Sequence, residues 1–391
     1  AAWLRKIAMV AATRTPCRRR GRLLLLLAAL GQTAHARRCS INSWSLEECC
    51  RPTVTPTSLW TQASNLTIRL PSTWSGFMQH TRIVEPLSVA AYLAAIAAAT
   101  ERVDALNRRG RANSGQPWVV DVGANMGFYS VLAGALAPRA RVLAIEMQPL
   151  CTPIIECGLQ LNRIAKGAKS GAGVKVLNRF VSSTARGPLG VPRSRCDTMA
   201  SPSAVRGRKP GGTLRNTAEA RQDALNASRL QPVHPIDLGR YLLRHVDAER
   251  GERVAVIKVD TEGFEPLVLE SLRPAWKLLD DVVFETQPQS WVHHNISLSF
   301  GLAVFRELIA HNSYRVVSLP KRQGQKNHYV TPDLVDPCAI AAKRRAGVKG
   351  SGLYGAQVLD GAAFEAALQR LHKSGGFPEY LLTRKVCPAA P

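Results

Sequence analysis

The sequence predicts an α/β fold built on a mostly parallel sheet with helices on both faces. Three observations carry this expectation. Apolar runs of strand length alternate with helical stretches from residue 118 to residue 319. The runs at 118–122 and 254–260 are nearly continuous in Val and Ile, the pattern of strands buried on both faces. The runs at 118–122, 141–146 and 254–260 each carry an acid at or next to their C-terminal end, the edge where open α/β sheets bind ligands.

The elements follow in chain order. Residues 37–80 are rich in Ser, Thr, Pro and Trp without a clear period, and read as a stalk or irregular cap. The Ala-rich stretch Val84–Leu106 predicts a helix with one apolar face, and Arg108–Gln116 a polar loop. Trp118–Val122 is a strand, Phe128–Leu136 a helix, Arg141–Glu146 a strand, Ile154–Ile164 a helix and Val174–Val181 a strand. Residues 185–232 are rich in Arg, Ser, Gly and Pro and poor in aromatics, so they read as a low-complexity basic insert. Ile236–His245 is a short helix, Val254–Asp260 a buried strand, Glu262–Leu272 a helix and Val282–Glu285 a strand. Leu302–His311 is a helix and Tyr314–Leu319 the last strand before a C-terminal extension, 320–391.

The chain has 391 residues, 52 Lys+Arg against 28 Asp+Glu, and a formal charge of +24. A balance this basic invites a nucleic-acid reading, but its placement argues against one. Residues 1–36 carry +7, the insert +6 and residues 320–391 another +6, leaving +5 for everything else. Within 1–36 a basic block (Arg18–Arg20, Arg22) precedes the apolar run Leu23–Leu30 and the small-x-small pattern Ala34-His35-Ala36, the order of a secretory signal or signal anchor. The run is shorter than the roughly 20 apolar residues of a membrane span. An organelle transit peptide is the alternative, since the first acid is Glu47. Few serines and the compact Leu run favour the secretory pathway, with a luminal or secreted product. Cleavage after Ala36 would leave eight of nine cysteines, an even number compatible with disulfides in an oxidising compartment. Asn65, Asn226 and Asn295 are in N-x-S/T sequons. No CxxC pair is present, so a zinc site has little support.

The chemistry is carried by two turns. In Val119–Ser130 (VVDVGANMGFYS) a strand ends in Asp121-Val122-Gly123 and turns through Asn125 and Gly127 into a helix. A dinucleotide fingerprint needs glycine where Asn125 stands, and a Walker loop needs Gly-Lys-Ser/Thr, which is absent. The spacing suits a nucleoside without a diphosphate, such as S-adenosylmethionine. Glu146 ends the next strand, where an acid can accept two ribose hydroxyls. The second turn is Val256–Glu265 (VIKVDTEGFE). Lys258 interrupts an apolar strand and so needs a carboxylate partner. Asp260 and Glu262 sit at the mouth of the same crevice, and capping of the following helix by Asp260 or Thr261 is the structural alternative.

These segments, with AIE, PIDLGRYLLRH, VIKVDTEGFEPLVLESL and VVFET, resemble the FkbM-type methyltransferases over roughly residues 118–319. The resemblance implies a Rossmann-like class I methyltransferase fold with a seven-stranded sheet, and S-adenosylmethionine-dependent O-methylation of a sugar, glycoconjugate or similar hydroxyl. By motif match Asp121, Gly123, Asn125 and Gly127 line the methionine and sulfonium end, Glu146 the ribose, and Lys258, Asp260 and Glu262 the acceptor side. Asp260 is the expected general base, with Glu262 or Glu285 orienting the acceptor. No metal is assigned. His293, His294 and Trp291 are lesser substrate-contact candidates, and Tyr129 is expected to pack. An RNA methyltransferase using the insert and tail, and a non-catalytic S-adenosylmethionine-binding module, are the competing readings.

Overall fold

A computed structural model describes residues 57–61, 64–68, 85–109, 115–167, 172–184, 187–192, 196, 230–320, 335–345 and 356–385. Eight strands form the main sheet: β1 (Trp118–Val122), β2 (Arg141–Glu146), β3 (Gly173–Asn178), β4 (Val254–Val259), β5 (Leu279–Glu285), β6 (Arg315–Leu319), β7 (Gln357–Leu359) and β8 (Glu379–Thr383). Their order is β7-β6-β8-β5-β4-β1-β2-β3. The run from β5 to β3 is parallel throughout. Strand β8 lies antiparallel between β5 and β6, and β7 adds an antiparallel edge to β6.

Helices α1 (Pro86–Arg108), α2 (Phe128–Leu136) and α3 (Cys151–Leu161) cover one face, burying Leu87, Tyr92, Leu132 and Ile155 against Val119, Val142, Val256 and Val283. Helices α4 (Leu238–His245), α5 (Glu265–Ser271) and α6 (Leu298–Asn312) cover the other face, together with a 3₁₀ segment at Arg273–Leu278. Two further helices, α7 (Pro337–Arg345) and α8 (Gly361–Ser374), follow. Side chains alternate along each strand, so odd positions of β1 meet the first layer and even positions the second. Asp237 and Ser297 start α4 and α6 by accepting the N–H of Arg240 and Phe300.

Two expectations are corrected. The sheet has eight strands rather than seven, and the fold does not stop at residue 319 or begin at 118. Phe364 of α8 and Tyr380 of β8 join Phe284 and Phe305 in one aromatic cluster, with neighbouring centroids 5.0–6.3 Å apart. Without β8 the facing edges of β5 and β6 would lose their hydrogen-bonding partner. Helix α1, in the N-terminal extension, packs into the first layer. The tail and α1 are therefore parts of the core, not additions to it.

Residues 57–61 and 64–68 pair as an antiparallel hairpin within the segment expected to be irregular. At the ends of the insert, 189–192 pairs with 230–233, and 180–181 with 235–236. A disulfide joins Cys196 of the insert to Cys151, the first residue of α3, and Cys157 and Cys338 are also disulfide-bonded. The leader and Asn226 lie outside the described residues. Among the described residues no helix is long and apolar enough to cross a membrane.

Candidate active site

Strand order reverses between β1 and β4, which places a crevice beyond their C-terminal ends. The two turns expected to carry the chemistry meet there. The Asp260 N–H donates to the Val122 carbonyl at 3.0 Å, and the N–H groups of Gly123 and Ala124 donate to Ile145 of β2 at 2.9 and 3.1 Å. Gly123 has φ +77, and a Cβ there would stand 1.7 Å from the Asp260 carbonyl oxygen. Its glycine identity is thus required by the neighbouring turn itself. Gly127 (φ +86) opens α2, and a Cβ there would press on Ile155 of α3 at 2.8 Å. Between them Asn125 holds φ 49, and its side chain accepts the Met126 N–H at 2.9 Å.

Glu146 ends β2 beside the Asn125 turn. One carboxylate oxygen accepts the Asn125 N–H and the other the Gln148 N–H, both at 2.7 Å. Burial pushes its pKa up to about 7, against the pull of these two donors. Asp121 is also buried, and accepts from Ser130 Oγ at 2.6 Å. Burial raises it to about 6, while Ser130 and Lys258 act the other way.

At the end of β4 a buried lysine is ringed by carboxylates. Lys258 Nζ lies 3.0 Å from Asp260, 3.8 Å from Glu379 and 5.2 Å above the Tyr129 ring. Burial alone would lower its pKa, but Asp260, Glu379, Glu85 and Glu285 outweigh burial and hold it raised, so Lys258 is a permanent cation. The lysine thus has the carboxylate partner its position demanded. Glu85 accepts from the Tyr129 hydroxyl at 3.1 Å, and Glu379 accepts from Ser88. Glu85, Glu285 and Glu379 bring carboxylate oxygens within 4.8 Å of one another. Asp260 is the accessible member of the Lys258 pair: its side chain is 29% exposed, that of Lys258 1%.

The next residues form a second layer of order. Glu262 is left-handed at φ 53, accepts from the Gln287 amide, and offers its carbonyl to His294 Nε2 at 3.2 Å. The same Gln287 amide reaches Glu285 at 3.2 Å. The His294 ring packs on Phe264, while His293 is exposed. Trp291 is fully buried against Gly301 and Phe305, a packing position rather than a face open to substrate. Tyr129 packs as expected. The capping alternative is not realised, because the N-cap of α5 is Phe264 and neither Asp260 nor Thr261 occupies it. Glu85, Glu379, Glu265 and Gln287 carry no role that the sequence alone marks. For Glu379 the available signal is an acid opening the short apolar run EYLLT; the others gain meaning only from distant partners.

The parallel strands β1–β5 with an antiparallel strand inserted before the last parallel one define a Rossmann-like class I methyltransferase fold, and the site sits at that fold's ligand-binding edge. In sequence, the chain is 28% identical over 193 residues to Methyltransferase sdnD of Sordaria araneosa, covering 46% of this chain and 70% of that protein. This likeness supports a methyltransferase. No protein-family profile matches the chain. Among solved structures, a precorrin-6y C5,15-methyltransferase from Geobacter metallireducens GS-15 aligns at 12% identity over 70% of this chain and 85% of that one, with a TM-score of 0.27. The plantazolicin methyltransferase BpumL in complex with SAH aligns at 10% identity over 76% and 96%, with a TM-score of 0.25. Scores this low add nothing to the strand order, on which the fold assignment rests.

The residues present fit S-adenosylmethionine. Glu146, held at the end of β2 by the Asn125 and Gln148 N–H groups, offers a carboxylate of the kind that accepts ribose hydroxyls. The carboxylates beyond β4 suit a cationic sulfur and an ammonium group.

Proposed function

We propose that the chain is an S-adenosylmethionine-dependent O-methyltransferase of the FkbM type, acting on a hydroxyl of a neutral sugar, glycoconjugate or similar small molecule. The observation that carries this reading is the junction of the two turns, where Asp260 stands beside the Gly123–Gly127 loop and against Lys258.

S-adenosylmethionine supplies a methyl group already activated on a positive sulfur. The protein's contribution is alignment and proton removal. Asp260 would accept the acceptor's hydroxyl proton as its oxygen takes the methyl group, whose bond to sulfur breaks to leave S-adenosylhomocysteine. Lys258 keeps Asp260 in place and offsets part of the surrounding negative charge. Glu262 and Glu285, joined through Gln287, hold a neighbouring hydroxyl. Glu146 and the Asn125 turn hold the nucleoside.

The electrostatics favour this reading over an RNA substrate. Asp121, Asp260, Glu285, Glu379 and Glu85 surround a single lysine, a field that repels phosphate. The secretory route is part of the same proposal. It is supported by four disulfide-bonded cysteines and by the exposed position of Asn295 in its sequon. The experiment is incubation of the full chain with methyl-labelled S-adenosylmethionine and, in separate samples, neutral glycosides or RNA, with mass mapping of the product. Label on a glycoside hydroxyl oxygen supports the reading. Label on RNA and on no glycoside would refute it.

A further inference from the structure

One buried acid stands outside the roles given so far. Glu265, the first residue of α5, has no exposed surface. An acid in a first helical turn is ordinarily a solvated partner of the helix dipole. Here the side chain turns inward and back. One carboxylate oxygen accepts the Gly263 N–H at 2.7 Å and Thr261 Oγ1 at 3.4 Å, and the other accepts Trp291 Nε1 at 3.3 Å. Three donors from two segments converge on one carboxyl group.

The segment so held cannot hold itself. Glu262 is left-handed without being glycine, and Gly263 has φ +103, with Ser290 and His294 too close to admit a Cβ. Such a conformation costs about 1–3 kcal/mol and persists only when its surroundings impose it. Asp260 and Glu262 flank Thr261 in this turn, so the direction of both carboxylates follows from its shape.

We propose that Glu265 is a positioning residue for the acceptor side: it fixes the Asp260–Gly263 turn and ties it to the loop carrying Gln287, Trp291 and His294. It touches neither cofactor nor acceptor. Its effect on turnover rests on the methyltransferase reading above; its effect on the turn does not.

The test uses the full chain and three variants, Glu265→Ala, Glu265→Gln and Trp291→Phe. The glutamine variant keeps an oxygen for Gly263 but turns a donor toward Trp291 or toward the turn, and Trp291→Phe removes one donor while leaving the acid. Amide exchange read by mass spectrometry should quicken about tenfold over residues 260–264 in Glu265→Ala, less in the other two, with β1 and β4 unchanged. S-adenosylhomocysteine affinity should stay within about twofold of wild type. With methyl α-D-glucopyranoside as the acceptor probe, kcat should fall at least tenfold in Glu265→Ala and partly recover in Glu265→Gln. Unchanged exchange over 260–264 in every variant overturns the proposal. So does equal acceleration in β1 and β4, which would make Glu265 a general fold contact. Failure of the wild type to bind S-adenosylhomocysteine overturns the methyltransferase reading instead, and the exchange data still decide the role of Glu265 in the turn.

Discussion

A Cβ on Gly123 would lie 1.7 Å from the carbonyl oxygen of Asp260. The loop after β1 and the loop after β4 are therefore packed backbone to backbone. Gly123→Ala must relieve both the clash and a φ of +77, and neither can be done without moving Asp260. We expect a loss of at least about 2 kcal/mol in stability and a marked loss of S-adenosylhomocysteine affinity. Thermal melts and calorimetry on the same sample check this; a variant with wild-type melting and binding would show that the contact is dispensable.

Asp260→Asn removes the base but keeps the size and the Val122 contact, which uses the backbone. Cofactor binding should persist while kcat drops by about 10²-fold or more. Retained turnover would assign the proton to another group.

Lys258→Met should be the most destabilising change at the site. The lysine faces Asp260 at 3.0 Å and Glu379 at 3.8 Å from a fully buried position. Removing one partner of a buried ion pair costs about 3–5 kcal/mol, because the remaining charge is left unmatched. The loss should shrink at acidic pH, where the orphaned carboxylates take up protons. Denaturant titrations at pH 5 and pH 8 measure the difference; a larger loss at pH 5 would contradict the assignment.

Four carboxyls raised by burial should give the wild type a definite pH signature. Burial holds Glu146 and Glu265 at about 7 and Asp121 and Asp281 at about 6, against ordinary values of 4.5 and 3.8. The folded state thus keeps protons that the unfolded chain has already released. Their contribution to stability is complete below about pH 4 and is lost as pH rises through 6 to 7. Melting temperatures of wild type and Glu265→Gln across pH 4–8 isolate one of the four. The wild-type curve should fall more steeply with rising pH, and parallel curves would argue against a shifted Glu265.

The parts of this site that could be read from sequence share a physical reason. β1, α2 and β2 match their expected bounds residue for residue, because a continuous apolar run, a glycine turn and an apolar helix are all local signals. β8 is not legible in the sequence because its place is set by β5 and β6, whose paired residues lie about 98 and 64 positions earlier in the chain. With it went Glu379, which stands beside Glu285 across the β5–β8 ladder. Glu265 was visible as an acid at a helix start, but not the inward turn toward Trp291, 26 residues away. Gly127 reads as a ligand-facing glycine in the motif; its nearest constraint is the Ile155 side chain. The charge of the tail suggests an accessory region, whereas its aromatic residues Phe364 and Tyr380 belong to the core.

The most direct test of the account is calorimetric titration of S-adenosylmethionine into the full chain, alongside Glu146→Ala. Saturable one-to-one binding by the wild type, weakened about tenfold or more in the variant, is the expected result. Absence of binding by the folded wild type would contradict the central claim.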